Sequence, residues 1–183
     1  KLLINLIVST IPVVIIGFAI SYFKIDIIRT IEVIGWTTLI FGILLGIVDR
    51  NPKALKKLAH IELKDSILIG LAQTIALIPG VSRSGIVMTS GLLMGFNRYD
   101  ASKYSLLLSI PVIIAATSLE STSLYMEKGF FFNNDMIIGV TVSFITALLT
   151  ITLFMKWINK ASLKIFVIYR VILGIMILII SYS

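Results

Sequence analysis

Apolar residues run along this chain in long blocks instead of alternating, and polar residues gather in short gaps between the blocks. Residues 2–22 form the first block, long enough to cross a hydrocarbon core of about 30 Å as a helix, with Pro12 tolerated inside it. Residues 33–48 form a second, which the pattern extends backwards through Ile27 and Ile28. Residues 104–118 (containing Pro111), 136–154 and 165–180 form three more. The pattern predicts an all-α integral membrane protein, a polytopic helical bundle. No linker or low-complexity tract interrupts it, so residues 1–183 read as a single membrane domain.

One segment breaks the pattern. Residues 66–96 would make a single helix about 46 Å long, well beyond the bilayer core. Broken at Pro79-Gly80, they make two pieces of about 20 Å, each too short to cross. Two short half-helices joined by a polar turn predict a re-entrant helix hairpin over about residues 66–96.

Charge tests that prediction. If the hairpin enters and leaves on one side, that side collects Lys1, the five basic residues of 49–65, Arg98, Lys103, Lys156, Lys160 and Lys164, eleven in all. The other side keeps three: Lys24, Arg29 and Lys128. A single crossing would swap everything after it and split the same cations seven against seven. Membrane proteins concentrate Lys and Arg in their cytoplasmic loops, so the hairpin explains the sequence and the crossing does not. Within 49–65, Leu55, Leu58 and Ile61 recur at helical spacing and predict a stretch lying along the membrane surface.

Composition agrees. Hydrophobic residues make up 58% and charged residues 14%, too few polar groups to cover a soluble domain of this length. The net charge of +7 would suit nucleic acid, but the cations sit in loops between apolar runs, as membrane topology requires, so nucleic acid is not an expected partner. Membrane lipids are. The absence of cysteine excludes disulfides and thiolate metal sites. The chain opens at Lys1 with an apolar run from Leu2, and no basic segment or small-residue cleavage site marks that run as a signal peptide.

Candidate chemistry concentrates in the break, "ALIPGVSRSGIVMTSG" (76–91). An arginine at membrane depth costs about 2.5–3.5 kcal/mol on insertion scales, which makes Arg83 a functional-site candidate. Gly80 and Gly85 let backbone approach closely, and Pro79 ends the incoming half-helix. Ser82 and Ser84 bring hydroxyls, and the outgoing half-helix points free N–H groups at the turn. Arg83 adds a planar fork suited to phosphate oxygens. The set describes an oxyanion cradle, most plausibly for phosphate. The alternative is that Ser82 and Ser84 cap two half-helices and Arg83 pairs with a carboxylate.

Other residues are weaker candidates. Gln73, one to two turns before the break, reaches either the turn or a neighbouring helix, and we include it with the substrate-binding set. Arg170 lies inside the last apolar run and either snorkels or pairs inward. His60, Glu120 and Glu127 read as solvated. No carboxylate pair, histidine–carboxylate pair or metal cluster accompanies the turn, so no metal site is assigned.

The sequence resembles the undecaprenyl-diphosphatases of the bacitracin-resistance type. "ALIPGVSRSG" (76–85), "GLLMGFNRYDASKYSLLLSIP" (91–111) and "IYR" (168–170) carry the match, which runs along the whole chain. The resemblance implies a bacterial inner-membrane, multi-pass enzyme that hydrolyses undecaprenyl diphosphate to the monophosphate and recycles the carrier lipid of cell-wall synthesis. It implies that Arg83 clamps the diphosphate, with Ser82 and Ser84 as hydrogen-bonding partners and Gly80 and Gly85 shaping the turn. The family carries a second re-entrant hairpin related by inverted repeat, with a glutamate-rich segment and a serine-rich turn ending in histidine. Nothing like it is present here, so this chain is expected to match the C-terminal two-thirds of such an enzyme. Any divalent cation, magnesium or calcium, would act through that other motif, and no cofactor is assigned to this chain. A homodimer is a compatible assembly. A lipid-phosphate transporter or flippase is the competing reading, since broken helices facing an anion serve transport too. One departure stands out. The family has threonine three residues after the second serine, where this chain has Val87, and Thr89 is turned about 200° away.

Overall fold

The computed structural model describes residues 1–23, 29–50, 56–128 and 134–182, with the side chains of 123–128 excepted. Its helices are α1 (Leu2–Tyr22), α2 (Ile31–Arg50), α3 (Leu63–Thr74), α4 (Arg83–Leu93), α5 (Arg98–Lys128), α6 (Asn134–Ile158) and α7 (Lys164–Tyr182). No strand occurs among the described residues, as the apolar blocks predict. Five helices are long and apolar enough to cross a membrane: α1, α2, α5, α6 and α7. Ile27, Ile28, Lys24, Leu55 and the side chain of Glu127 lie outside the described residues.

The exceptions are α3 and α4. At 12 and 11 residues they are about 18 and 17 Å long, too short to cross. A 3₁₀ turn, Ile75–Leu77, extends α3 toward the break. The hairpin begins three residues earlier than predicted because Glu62 and Asp65 form a capping box that starts α3 at Leu63. Its two ends meet. Lys56 N–H donates to the Gly95 carbonyl at 2.9 Å, and Asn97 N–H donates back to the Lys56 carbonyl at 3.3 Å. A hairpin whose entry and exit are hydrogen-bonded to each other enters and leaves on one side.

The same side is fastened by a second node. The buried Asp49 carboxylate at the end of α2 pairs with Arg98 at the start of α5 and accepts from Leu163 N–H just before α7. Three connections predicted to share the basic face are thereby held together.

Residues 58–61 correct the expectation of a stretch lying along the membrane surface. Leu58 and Ile61 are buried in the core, and only one 3₁₀ turn, Leu58–His60, forms there. Both side chains belong to the core cluster that includes Ile69 of α3 and Tyr104 of α5, where burial removes more apolar area from water than the interface would.

Two helix pairs frame the hairpin. α2 packs along α7 through small residues. A Cβ on Gly42 would stand 2.9 Å from Arg170 Cβ, one on Gly46 2.8 Å from Val167, and one on Gly174 2.9 Å from the Leu39 backbone. Close backbone approach of this kind drives association where no hydrophobic effect separates helix from lipid. α1 packs along α3, with Gly70 against the Ser9 backbone and Ser9 Oγ donating to the Ser66 carbonyl at 2.7 Å. The Tyr104 hydroxyl joins from α5, 2.6 Å from Ser9 Oγ. α6 stands apart, exposing almost its whole apolar length.

Candidate functional site

The turn spans residues 78–82 between the two half-helices. Gly80 has φ +88°, and a Cβ there would come within 2.6 Å of the Ile34 carbonyl on α2, so no side chain fits. Ser82 has φ +67°, the one non-glycine residue with positive φ among those described. It holds that strained conformation while capping α4: its Oγ accepts from Gly85 N–H at 3.2 Å. The Ser82 carbonyl accepts from Ile86 N–H. The N–H groups of Arg83 and Ser84 are left without intrahelical partners, as the first turn of a helix always leaves some.

Two of the turn's carbonyls are held by α2 and α7. Thr37 Oγ1 stands 2.6 Å from the Pro79 carbonyl, and Thr38 Oγ1 donates to Gly80 at 3.3 Å. Arg170 of α7 donates through Nη2 to the Gly80 carbonyl at 2.9 Å, and through Nε and Nη2 to the Thr38 carbonyl at 3.4 Å. With those carbonyls held by α2 and α7, Ser82 and Ser84 remain exposed.

The turn lines a cavity of about 540 Å³ together with residues of α2, α4, α5, α6 and α7. Gly80, Ser82, Ser84, Gly85, Thr38 and Arg170 line its polar end. Leu45, Met88, Leu106, Phe154, Phe166 and Leu173 make most of the rest of its wall apolar, and Ser102, Ser105 and Tyr169 complete it. Among the described residues, no carboxylate or histidine lines it, and no group of three or more His, Asp or Glu could hold a metal ion. Hydroxyls, amides and a guanidinium suit an anion and do not fit a divalent cation, which takes carboxylate oxygens.

The structure therefore brings Ser82, Ser84, Gly80 and Gly85 to one cavity and leaves two predicted residues beside it. Arg83 is half-buried and is not among the lining residues; its Nη1 is buried with no hydrogen-bond partner. It shares a helix face with Val87, one turn on, which is packed in the core with Ile69 of α3. Gln73 is fully buried, and its Nε2 donates to the Ser9 carbonyl of α1 at 3.4 Å. Its Oε1 has no partner. The hairpin thus carries one unmet donor and one unmet acceptor.

Thr38 and Ser105 are additions. Ser105 Oγ donates to the Ser84 carbonyl at 3.4 Å from α5. Isolated hydroxyls in an apolar span carry little sequence signal, because most bond their own helix. Arg170 did carry a signal, a charge within a span, and of its two readings the structure selects the inward one: it is 8% exposed.

Comparisons with known proteins point one way. The family described as bacitracin resistance protein BacA matches residues 1–176. The undecaprenyl-diphosphatase of Pelagibacter ubique is 42% identical, with the alignment covering 100% of this chain and 72% of the relative. That of Marinobacter nauticus is 40% identical over 92% of this chain and 64% of the relative. That of Alteromonas mediterranea is 44% identical over 97% of this chain and 67% of the relative. The chain spans about two-thirds of the length of these relatives.

Proposed function

The chain belongs to the bacitracin resistance protein BacA family, and on that premise we propose that it serves the hydrolysis of undecaprenyl diphosphate to undecaprenyl phosphate and phosphate, supplying the half of the site that grips the diphosphate. One observation carries the reading. Ser82 and Ser84 line a cavity whose remaining wall is mostly apolar. An anion attached to a hydrocarbon chain has that same division.

In this reading the diphosphate oxygens accept from Ser82, Ser84 and the first amides of α4, whose dipole favours negative charge there. Arg83 stands beside the cavity, and its guanidinium, whose Nη1 is unmet by the protein, turns toward the diphosphate in order to act. Its role is to stabilise charge building on the phosphoryl oxygens as the anhydride P–O bond breaks and water supplies the new oxygen. No residue lining the cavity can activate that water, so the attacking group and its base lie elsewhere in the enzyme. The five apolar helices and the excess of cations on one face support placement in the bacterial inner membrane with that face in the cytoplasm.

Phosphate release from undecaprenyl diphosphate by the full-length protein tests the proposal. Arg83→Ala and Arg83→Lys are expected to lose roughly 10²-fold or more, lysine included because it lacks the bidentate fork. Turnover at the wild-type level in Arg83→Ala would overturn the assigned role. Lipid translocation without phosphate release would favour the transporter instead.

A further inference from the structure

Arg170 is a charged side chain six residues into a spanning helix, 8% exposed, and its recorded hydrogen bonds all go to neutral carbonyls. Carbonyl dipoles orient a guanidinium without neutralising it, and a desolvated charge calls for a counter-charge. Asp49 and Asp65 are taken by Arg98 and Lys56 at the basic face. Among the described residues, no carboxylate lines the cavity that Arg170 does line.

The guanidinium has three nitrogens, and two are spent on the fold. Nε and Nη2 bind the Thr38 and Gly80 carbonyls. Nη1 takes part in none of these bonds. It lies beside Gly85, where an added Cβ would stand 3.0 Å from it. Gly85 and the two serines line the same end of the same cavity. The glycine keeps open the gap through which Nη1 meets whatever occupies that end.

We infer that Arg170 is a second guanidinium of the diphosphate site, fixing the turn with Nε and Nη2 while Nη1 contacts a phosphate oxygen. The inference rests on the function proposed above and adds to it. A diphosphate carries about two to three negative charges, and Arg83, which stands beside the cavity and does not line it, leaves part of that charge unmatched. Arg170, reaching in from α7, supplies the remainder. It also makes the turn's shape and the site's charge depend on one side chain, so they are present together or absent together.

The test is binding of methylene diphosphonate, a diphosphate that cannot be hydrolysed, to the full-length protein carrying Arg170→Lys or Arg170→Gln. Thermal melting is recorded for each. Glutamine can keep one carbonyl bond but has no charge; lysine keeps the charge but cannot span both carbonyls. If Arg170 contacts the anion, Arg170→Gln loses about tenfold or more in affinity and Arg170→Lys loses less. If Arg170 only locks the turn, glutamine binds as well as lysine or better, and the inference falls. Unchanged affinity in both would also overturn it. Should neither variant fold, Gly85→Ala takes their place: its methyl group fills the gap beside Nη1 and is expected to weaken binding about fivefold or more, and unchanged affinity would overturn the inference. Loss of phosphate release in Arg83→Ala alongside unaltered binding in the Arg170 variants would sink this inference and leave the proposed function standing. A wild-type protein that neither binds the diphosphonate nor releases phosphate would sink both.

Discussion

Thr89 Oγ1 donates to the Gly85 carbonyl at 2.8 Å, one turn back along α4. That bond satisfies the hydroxyl within its own helix, and the residue is 2% exposed. Thr89 therefore does not stand in for the threonine that the family places at position 87. Val87 itself is 1% exposed and belongs to the core cluster with Leu58, Ile69 and Tyr104.

A hydroxyl introduced at position 87 would meet that core, where it could bond the Arg83 carbonyl as Thr89 bonds Gly85. Val87→Thr is expected to lower stability by about 1 kcal/mol and to change turnover less than about threefold. Thr89→Val should likewise leave turnover near wild type. Melting in detergent and phosphate release measure the two quantities. A tenfold rise in turnover for Val87→Thr would show that the side chain at position 87 itself reaches the substrate.

Ser82 should show opposite signs for stability and activity. Its φ of +67° is strained for any residue with a Cβ, by about 1–2 kcal/mol, and glycine would relieve it. Glycine gives up only a few tenths of a kcal/mol at an N-cap, whereas alanine gives up about 1. Ser82→Gly is expected to melt a degree or more above wild type and Ser82→Ala below it. Both should lose about tenfold or more in turnover, because the hydroxyl is gone. A Ser82→Gly protein with full activity would remove Ser82 from the site.

The hairpin topology makes a labelling prediction, and the lack of native cysteine leaves a clean background. Lys57 and Tyr99 flank the hydrogen-bonded mouth, Lys160 lies in the α6–α7 connection, and Arg29 lies in the connection before α2. All four are exposed. With single cysteines at these positions, a membrane-impermeant maleimide should reach Arg29→Cys in intact cells and the other three after permeabilisation. Lys57→Cys and Tyr99→Cys reacting from opposite sides would break the re-entrant arrangement.

How much of this was legible in the sequence differs by kind of feature. The spans were legible because lipid demands about twenty consecutive apolar residues, and that demand is local. The hairpin was legible because Pro79-Gly80 interrupts a run of the wrong length and because charge counts add along the chain. The turn's candidate chemistry was read from Ser82, Arg83 and Ser84 themselves, and of these the structure brings the two serines to the cavity and leaves Arg83 beside it. Leu58 and Ile61 were misread as interfacial because an amphipathic spacing looks the same whether its apolar side meets lipid headgroups or a protein core.

Sequence alone determined that this protein crosses the membrane in helices and that one segment turns back, and it offered the turn as a candidate anion site. Each of these follows from residues close together in the chain. Only the tertiary structure decided which groups share the cavity. Arg170 meets Gly80 across 90 residues and Thr38 across 132, because glycines on α2 and α7 let two backbones approach. Arg83, next to both serines in sequence, is turned to another face by the 100° step of α4. Neighbours along a helix diverge in direction, and residues far apart converge only when helices pack.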